Sequence, residues 1–187
     1  MDSAALGLLE LYSVARGVQA ADAGSKAAAV RLLFARPFCA GKFGILWAGE
    51  VAEVHAALAA GRAVGSHLVV DETLLPAAHP SLIPALGGAN AYPAGAALGI
   101  VETYSIASTL ASADAAAKAA RVEIIELRVA IGLGGRGYFS VAGEVAAVRQ
   151  AVEVARAYVV GLGLLVDAQV IPAPDPQLLR RLGLLEG

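Results

Sequence analysis

The stretch Ala5 to Leu11, "ALGLLEL", is apolar at nearly every position and is closed by Tyr12-Ser13. A short run of this kind, without alternation, predicts a strand buried on both faces. Ser13 then offers a hydroxyl to cap a helix through Ala28. Val30 to Phe38 reads as a second strand, with a hairpin partner at Phe43 to Trp47. A helix is expected from near Glu50 to about Ala63, and a last strand from Leu68 to Leu75, ended by Pro76. The order is β-α-β-β-α-β.

The same pattern is then written again. "ALGLLELYSVA" at 5–15 returns as "ALGIVETYSIA" at 97–107, and "ADAGSKAAAV" at 21–30 as "ADAAAKAARV" at 113–122. Between 5 and 30, fourteen of the twenty-six positions are identical at an offset of 92, including Glu10/Glu102, Tyr12/Tyr104, Asp22/Asp114 and Lys26/Lys118. "GEVAEV" at 49–54 returns as "GEVAAV" at 143–148, at offset 94, and Asp71 and Pro76 match Asp167 and Pro172 at offset 96. Ser105 is the cap expected for the second copy's helix. The first length change puts two extra residues in the second copy, where Cys39-Ala40-Gly41 faces Ile131 to Gly135. A self-similar period of this size means two domains of one fold, placed at 1–92 and 93–187. The fold class is α+β, a sandwich with helices on one face of each sheet. The length change lies in the loop of the inner hairpin, and loops are where insertions and function collect.

A chain of 187 residues can bury a sizeable core. The formal net charge of −2 gives no basic face for nucleic acid. Mean hydropathy is +0.67. Membrane spanning needs roughly 18–20 apolar residues in a row, and Glu10, Arg16, Glu102, Glu153, Arg156 and Asp167 interrupt the apolar stretches sooner. No membrane segment is expected. The start, Met1-Asp2-Ser3-Ala4, lacks the basic segment of a signal peptide. With 16% charged residues, little surface is left for water, which suggests an obligate oligomer. One cysteine and no disulfide framework fit a reducing cytosol.

Three motifs fail on context. "GLGGRG" at 132–137 has the form G-x-G-x-x-G, but it lies between two strands of a hairpin rather than opening a helix. "RPFCAGK" lacks the first Gly and the final Ser/Thr of a phosphate-binding loop. His55, His67 and His79 are twelve residues apart, so no two lie one helical turn apart as metal ligands. No catalytic residue is expected, because a Cys39 nucleophile needs a partnered base and none is visible. Asp22/Lys26 and Asp114/Lys118 are i,i+4 pairs, worth roughly 0.2–0.5 kcal/mol each as helix support. Their recurrence in both copies also makes a contact role plausible. Lys42 and Arg136 align across the copies. They either face a channel or pair with Glu50 and Glu144, which also repeat.

The doubled "ALGLLELYSVA…ADAGSKAA" and "ALGIVETYSIA…ADAAAKAA" resembles the bacterial microcompartment shell domain in tandem, from Ala5 to about Leu182. The resemblance implies a homotrimer, a pseudohexameric tile of six domains that packs edge to edge with other shell proteins around enzymes in the cytoplasm. "CAGKF" at 39–43, "GLGGRGYF" at 132–139 and "VIPAPDP" are most similar to the T-type branch of propanediol-utilising microcompartments. That likeness implies that the hairpin loops line a central pore, through Phe38, Cys39, Ala40, Gly41 and Lys42 and through Gly132, Leu133, Gly134, Gly135 and Arg136. It implies a 4Fe–4S cluster held by Cys39 from each of three subunits, with encapsulated redox enzymes as partners. Asp22, Lys26, Asp114 and Lys118 would lie at the tile edge. Two positions depart from the pattern: Ala173 stands in "IPAPD" where the family often has Arg, and Ala40 follows the cysteine where close relatives have Pro.

Three functions therefore compete at this point: a tile whose pore carries a redox centre, a tile whose pore passes small metabolites with Cys39 as a plain thiol, and a small cysteine-dependent enzyme.

Overall fold

The computed structural model describes residues 5–88, 90–129 and 133–185. The first repeat folds as β1 (Ala5–Leu11), α1 (Val14–Ala27), β2 (Arg31–Phe38), β3 (Lys42–Gly49), α2 (Val51–Gly65) and β4 (Val69–Leu75), followed by a short α3 (Leu82–Leu86). The second folds as β5 (Ala97–Thr103), α4 (Ile106–Ala119), β6 (Glu123–Val129), β7 (Gly137–Gly143), α5 (Val145–Gly161) and β8 (Leu165–Ile171), followed by α6 (Pro176–Arg181). Both repeats thus have the β-α-β-β-α-β order that the hydrophobic pattern predicts.

The strands form two four-stranded sheets, in the orders β2-β3-β1-β4 and β6-β7-β5-β8. β1 lies between β3 and β4, antiparallel to both, with Glu10 opposite Gly44 on one side and Asp71 on the other. A central strand has no free edge, and β1 is buried along its whole length. Its alternate residues serve two faces. Leu9 and Leu11 join Phe43, Ile45 and Trp47 of β3 against Ala20, Ala21, Val54, Ala57 and Leu58 of the helices. Leu6, Leu8 and Leu46, on the opposite face, are fully buried too.

Glycines allow the helices to lie this close. A Cβ on Gly7 would stand 2.5 Å from Val54 Cγ1, and one on Gly17 would stand 2.3 Å from Phe43. Ser13 has extended backbone and accepts a hydrogen bond from Arg16 N–H at 3.2 Å, so the expected cap is formed. Ser105 does the same for Ser108 N–H at 3.0 Å. Trp47 donates its indole N–H to Ser25 Oγ at 3.1 Å.

In the second sheet, Gly99 faces Val148 and Val152 of α5. The other face, at Leu98, Ile125 and Ala142, is covered by Tyr92 and Leu179. The compact units are not the same division as the sequence repeats. One unit is Met1–Ala78 with Ser105–Ala111 and Val129–Arg136; the other is His79–Tyr104 with Ser112–Arg128 and Gly137–Gly187. No helix among the described residues is long and apolar enough to cross a membrane.

Candidate functional site

The tip of the first inner hairpin is a single 3-10 turn, Cys39–Gly41, between β2 and β3. Gly41 carries the positive φ, +73°, that lets the chain reverse here, and a Cβ there would meet no atom within 4 Å. Phe38 turns inward and is buried, with its ring edge-on to Phe34 at a centroid distance of 5.9 Å. Arg36 lies over both rings, 5.1 Å and 5.3 Å from their centroids. Cys39 is half-buried and forms no disulfide. The hydrophobic anchor thus lies directly before the cysteine, and the turn itself projects from it.

The second inner hairpin reverses differently. Arg136 N–H donates to the Leu133 carbonyl at 3.2 Å, with Gly134 at φ +60° and Gly135 at φ +85° between them. Two successive positive φ values with an i→i+3 bond describe a type I′ turn, which matches the twist of the flanking strands. Gly134 and Arg136 are exposed, Leu133 is half-buried and Gly135 is buried. Gly132 and the Ala40 side chain, both expected at the pore, lie outside the described residues.

Lys42 is buried, with its ammonium 2.7 Å from Glu10 Oε1 and donating to the Gly135 carbonyl at 3.1 Å. These contacts lie within the first compact unit and tie one hairpin turn to the other. Tyr12 adds its ring 5.6 Å from the same ammonium. Glu10 is fully buried, and its other oxygen accepts from Ile106 N–H at 3.1 Å, at the start of α4. Burial pushes the Glu10 carboxyl above its ordinary range; the Lys42 ammonium and the Ile106 N–H oppose the shift. Asp71, opposite Glu10 on the neighbouring strand β4, accepts from the Ser105 hydroxyl.

The alternative pairing of Lys42 with Glu50 and of Arg136 with Glu144 does not form. Lys42 begins β3 and Glu50 follows its end, and Arg136 and Glu144 flank β7 in the same way. An eight-residue separation along a strand is about 26 Å. The Glu10 contact was not anticipated. The recurrence of Glu10 as Glu102 was the sequence signal, since a carboxylate kept inside an apolar strand needs a partner.

The two i,i+4 pairs expected at a tile edge both form as intrahelical ion pairs, in different surroundings. Lys26 meets Asp22 at 2.7 Å with both exposed. Lys118 meets Asp114 at 2.5 Å, but Asp114 is buried and also accepts from His79 N–H at 2.8 Å. His79 Nδ1 lies 2.8 Å from Ser81 Oγ, so this histidine is held within its own loop. Among the described residues no three His, Cys, Asp or Glu side chains gather as a metal site. The donor at the turn is a soft sulfur, the type that iron–sulfur clusters take. One chain supplies only one, so the residues fit such a group only if several copies converge.

Comparison with known proteins places this geometry. The BMC domain model matches residues 5–78 and again 97–174. The chain is 41% identical to the bacterial microcompartment shell protein PduT of Citrobacter freundii over 180 residues, covering 96% of this chain and 98% of that protein. A microcompartment protein from Desulfitobacterium hafniense superposes with a TM-score of 0.87 at 42% identity, covering 95% of this chain and 98% of the other. A fused, permuted hexameric shell protein of the RMM microcompartment gives 0.64 at 20% identity, over 85% and 82% of the two chains, which is a likeness of fold alone.

Proposed function

The chain belongs to the BMC-domain family of bacterial microcompartment shell proteins, and from that premise we propose that it forms a homotrimeric tile whose pore holds a 4Fe–4S cluster for electron transfer across the shell. The shell-tile part follows from the family, whose members build the wall of a cytoplasmic compartment.

The observation that carries the finer reading is the position of Cys39. The only cysteine of the chain sits at the projecting tip of a hairpin, half-exposed, in a turn whose glycine leaves open space beside it. Three tips brought to one axis present three thiolates to one point. A cluster held there supplies one-electron transfer. The chain's own residues do the holding. Phe38 anchors the turn in the core, and Lys42 is fixed behind it by Glu10 and Gly135. With Lys42 engaged inside the chain, Arg136 is the exposed cation among the described hairpin-tip residues. Redox enzymes inside the shell would be the partners of such a tile.

The test is the iron and sulfide content of anaerobically reconstituted protein. About four irons per trimer are expected, with loss of colour in Cys39→Ser and no change in the trimer. Iron-free wild-type protein after reconstitution would leave a tile whose pore passes small metabolites.

A further inference from the structure

Away from the hairpin tips, the first compact unit carries a cleft of about 640 Å³ between α2 and β4. Small-molecule sites commonly span about 300–1,000 Å³. His55, Ala59, Arg62, Ala63 and Ser66 recur at helical spacing along one side of α2 and its C-terminal cap. Glu72 of β4 stands opposite Leu9 of β1, which belongs to the helix-side core, so Glu72 shares that face and projects toward α2. Leu58 and Leu74 add apolar lining.

Three features of the cleft are not demanded by the fold. The first is a half-satisfied acid. Arg62 donates to Glu72 Oε1 at 2.8 Å, whereas Glu72 Oε2 is sealed from water and has no hydrogen-bond partner among the described residues. A guanidinium can fork onto both oxygens of a carboxylate, and here it takes one. An orphaned carboxylate oxygen destabilises, and an added donor relieves it. The second is backbone strain. Ser66 has φ +52° and ψ −133°, the one positive φ outside glycine among the described residues. The chain reverses after α5 at a glycine instead, Gly163 at φ +69°. A serine held where glycine sits without strain costs stability, and such strain collects at ligand sites. The third is divergence. At the repeat offsets Ala168 stands for Glu72 and Arg149 for His55. Arg156, the counterpart of Arg62, turns to Glu153 on its own helix at 3.5 Å.

We propose that this cleft binds a small dipolar molecule carrying both an ammonium and a carboxylate, of the class of free amino acids with an aliphatic side chain. The lining is itself dipolar, so the complementary ligand is too. A lone cation would be repelled by Arg62 and a lone anion by Glu72. The ammonium supplies the donor that Oε2 lacks, reached by a turn of the Glu72 side chain, which is 33% exposed. Arg62, 66% exposed, offers its remaining N–H groups to the carboxylate. An exposed ion pair contributes little by itself, so its reorientation toward a ligand is easily offset. Leu58, Ala63 and Leu74 take the aliphatic side chain, and the Ser66 hydroxyl stands at the rim. The site lies within one unit of one chain, so it stands or falls apart from any ring of copies.

Saturation-transfer NMR on the assembled protein, with L-leucine as the probe, tests this. Transfer to leucine is expected. Binding should be weaker by about tenfold or more for 4-methylpentanoate, which lacks the ammonium, and for isopentylamine, which lacks the carboxylate. Glu72→Gln should weaken leucine binding by a similar factor, about tenfold, with sedimentation and circular dichroism unchanged. Ser66→Gly should raise the melting temperature of the free protein and also weaken leucine binding, a combination that a merely structural serine would not give. No transfer to leucine, equal binding of either half-molecule, or leucine affinity unchanged in either variant overturns the site and leaves the tile standing.

Discussion

Lys42→Met tests the buried pair behind the hairpin tips. The side chains of Lys42 and Glu10 are 7% and 0% exposed and 2.7 Å apart. Attraction between unit charges at an effective dielectric of about 20 is about 4 kcal/mol at 4 Å. Burying an ion costs several kcal/mol, so the intact pair comes out close to neutral. The orphan does not. Methionine fills similar space but removes the ammonium from Glu10, which keeps the Ile106 N–H bond, and releases the Gly135 carbonyl. Removing one member of a buried pair costs about 3–5 kcal/mol. Urea unfolding followed by Trp47 reads this directly, since the single tryptophan is fully buried in the same sheet.

The double variant Glu10→Gln, Lys42→Met keeps an acceptor for Ile106 and removes both charges. It should recover most of the loss, to within about 1–2 kcal/mol of the wild type. The sign with pH follows from Glu10. Its carboxyl is raised above 4.5 chiefly by burial, and Lys42 opposes the rise. Without the lysine the carboxyl rises further. The folded state of Lys42→Met then binds a proton more tightly than the unfolded state, so stability falls as pH climbs from about 4.5 through the folded value. The deficit relative to wild type is smallest in acid and complete above the folded value. A double variant that loses the sum of both singles, or a deficit that grows in acid, would refute the pairing.

Gly7→Ala and Gly99→Ala should each destabilise by about 1–3 kcal/mol in thermal melts. The new methyls would stand 2.5 Å from Val54 and 2.6 Å from Val152, side chains of helices already packed on the strand. Losses below half a kcal/mol in both would show that the helices can move away freely. Lys26→Ala with Lys118→Ala should leave the trimer intact and abolish two-dimensional sheets seen by electron microscopy. The intrahelical pairs themselves contribute only about 0.2–0.5 kcal/mol each, so a fall in trimer stability beyond that would assign these lysines to the fold instead of the edge.

The strand and helix order was legible because β1 and β5 are central strands: burial on both faces leaves an unbroken apolar run, and the repeat states it twice. Ser13 and Ser105 were legible as caps for a chemical reason, since a hydroxyl one residue before an apolar helix start satisfies an orphan amide. The hairpin position of Cys39 followed from the two-residue length change, because a ladder cannot absorb extra residues without disruption and a loop can. For Lys42 the sequence offered a channel-facing position or a pair with Glu50, because both residues repeat; the partner it meets, Glu10, is set by strand pairing, and register is a tertiary property. The difference in burial between α1 and α4 was legible but not read: Arg16 and Gln19 of the open α1 stand where the sealed α4 has Ser108 and Ala111, small residues that can be covered without burying a charge.

Duplication within one chain explains which positions could diverge. The two inner hairpins differ in length, turn type and chemistry, with a 3-10 turn at Cys39 and a type I′ turn at Gly134-Gly135. Turn tips carry few backbone obligations, so a change there costs little elsewhere. Glu10, Asp71 and Lys42 each have a like-charged counterpart in Glu102, Asp167 and Arg136, because a buried or interfacial charge that loses its partner costs more than any tip substitution. A single-repeat subunit would place every tip residue six times around a ring. In the homotrimer we propose, the doubled chain would place it three times, so one cysteine in one repeat would set three thiolates, rather than six, around the axis.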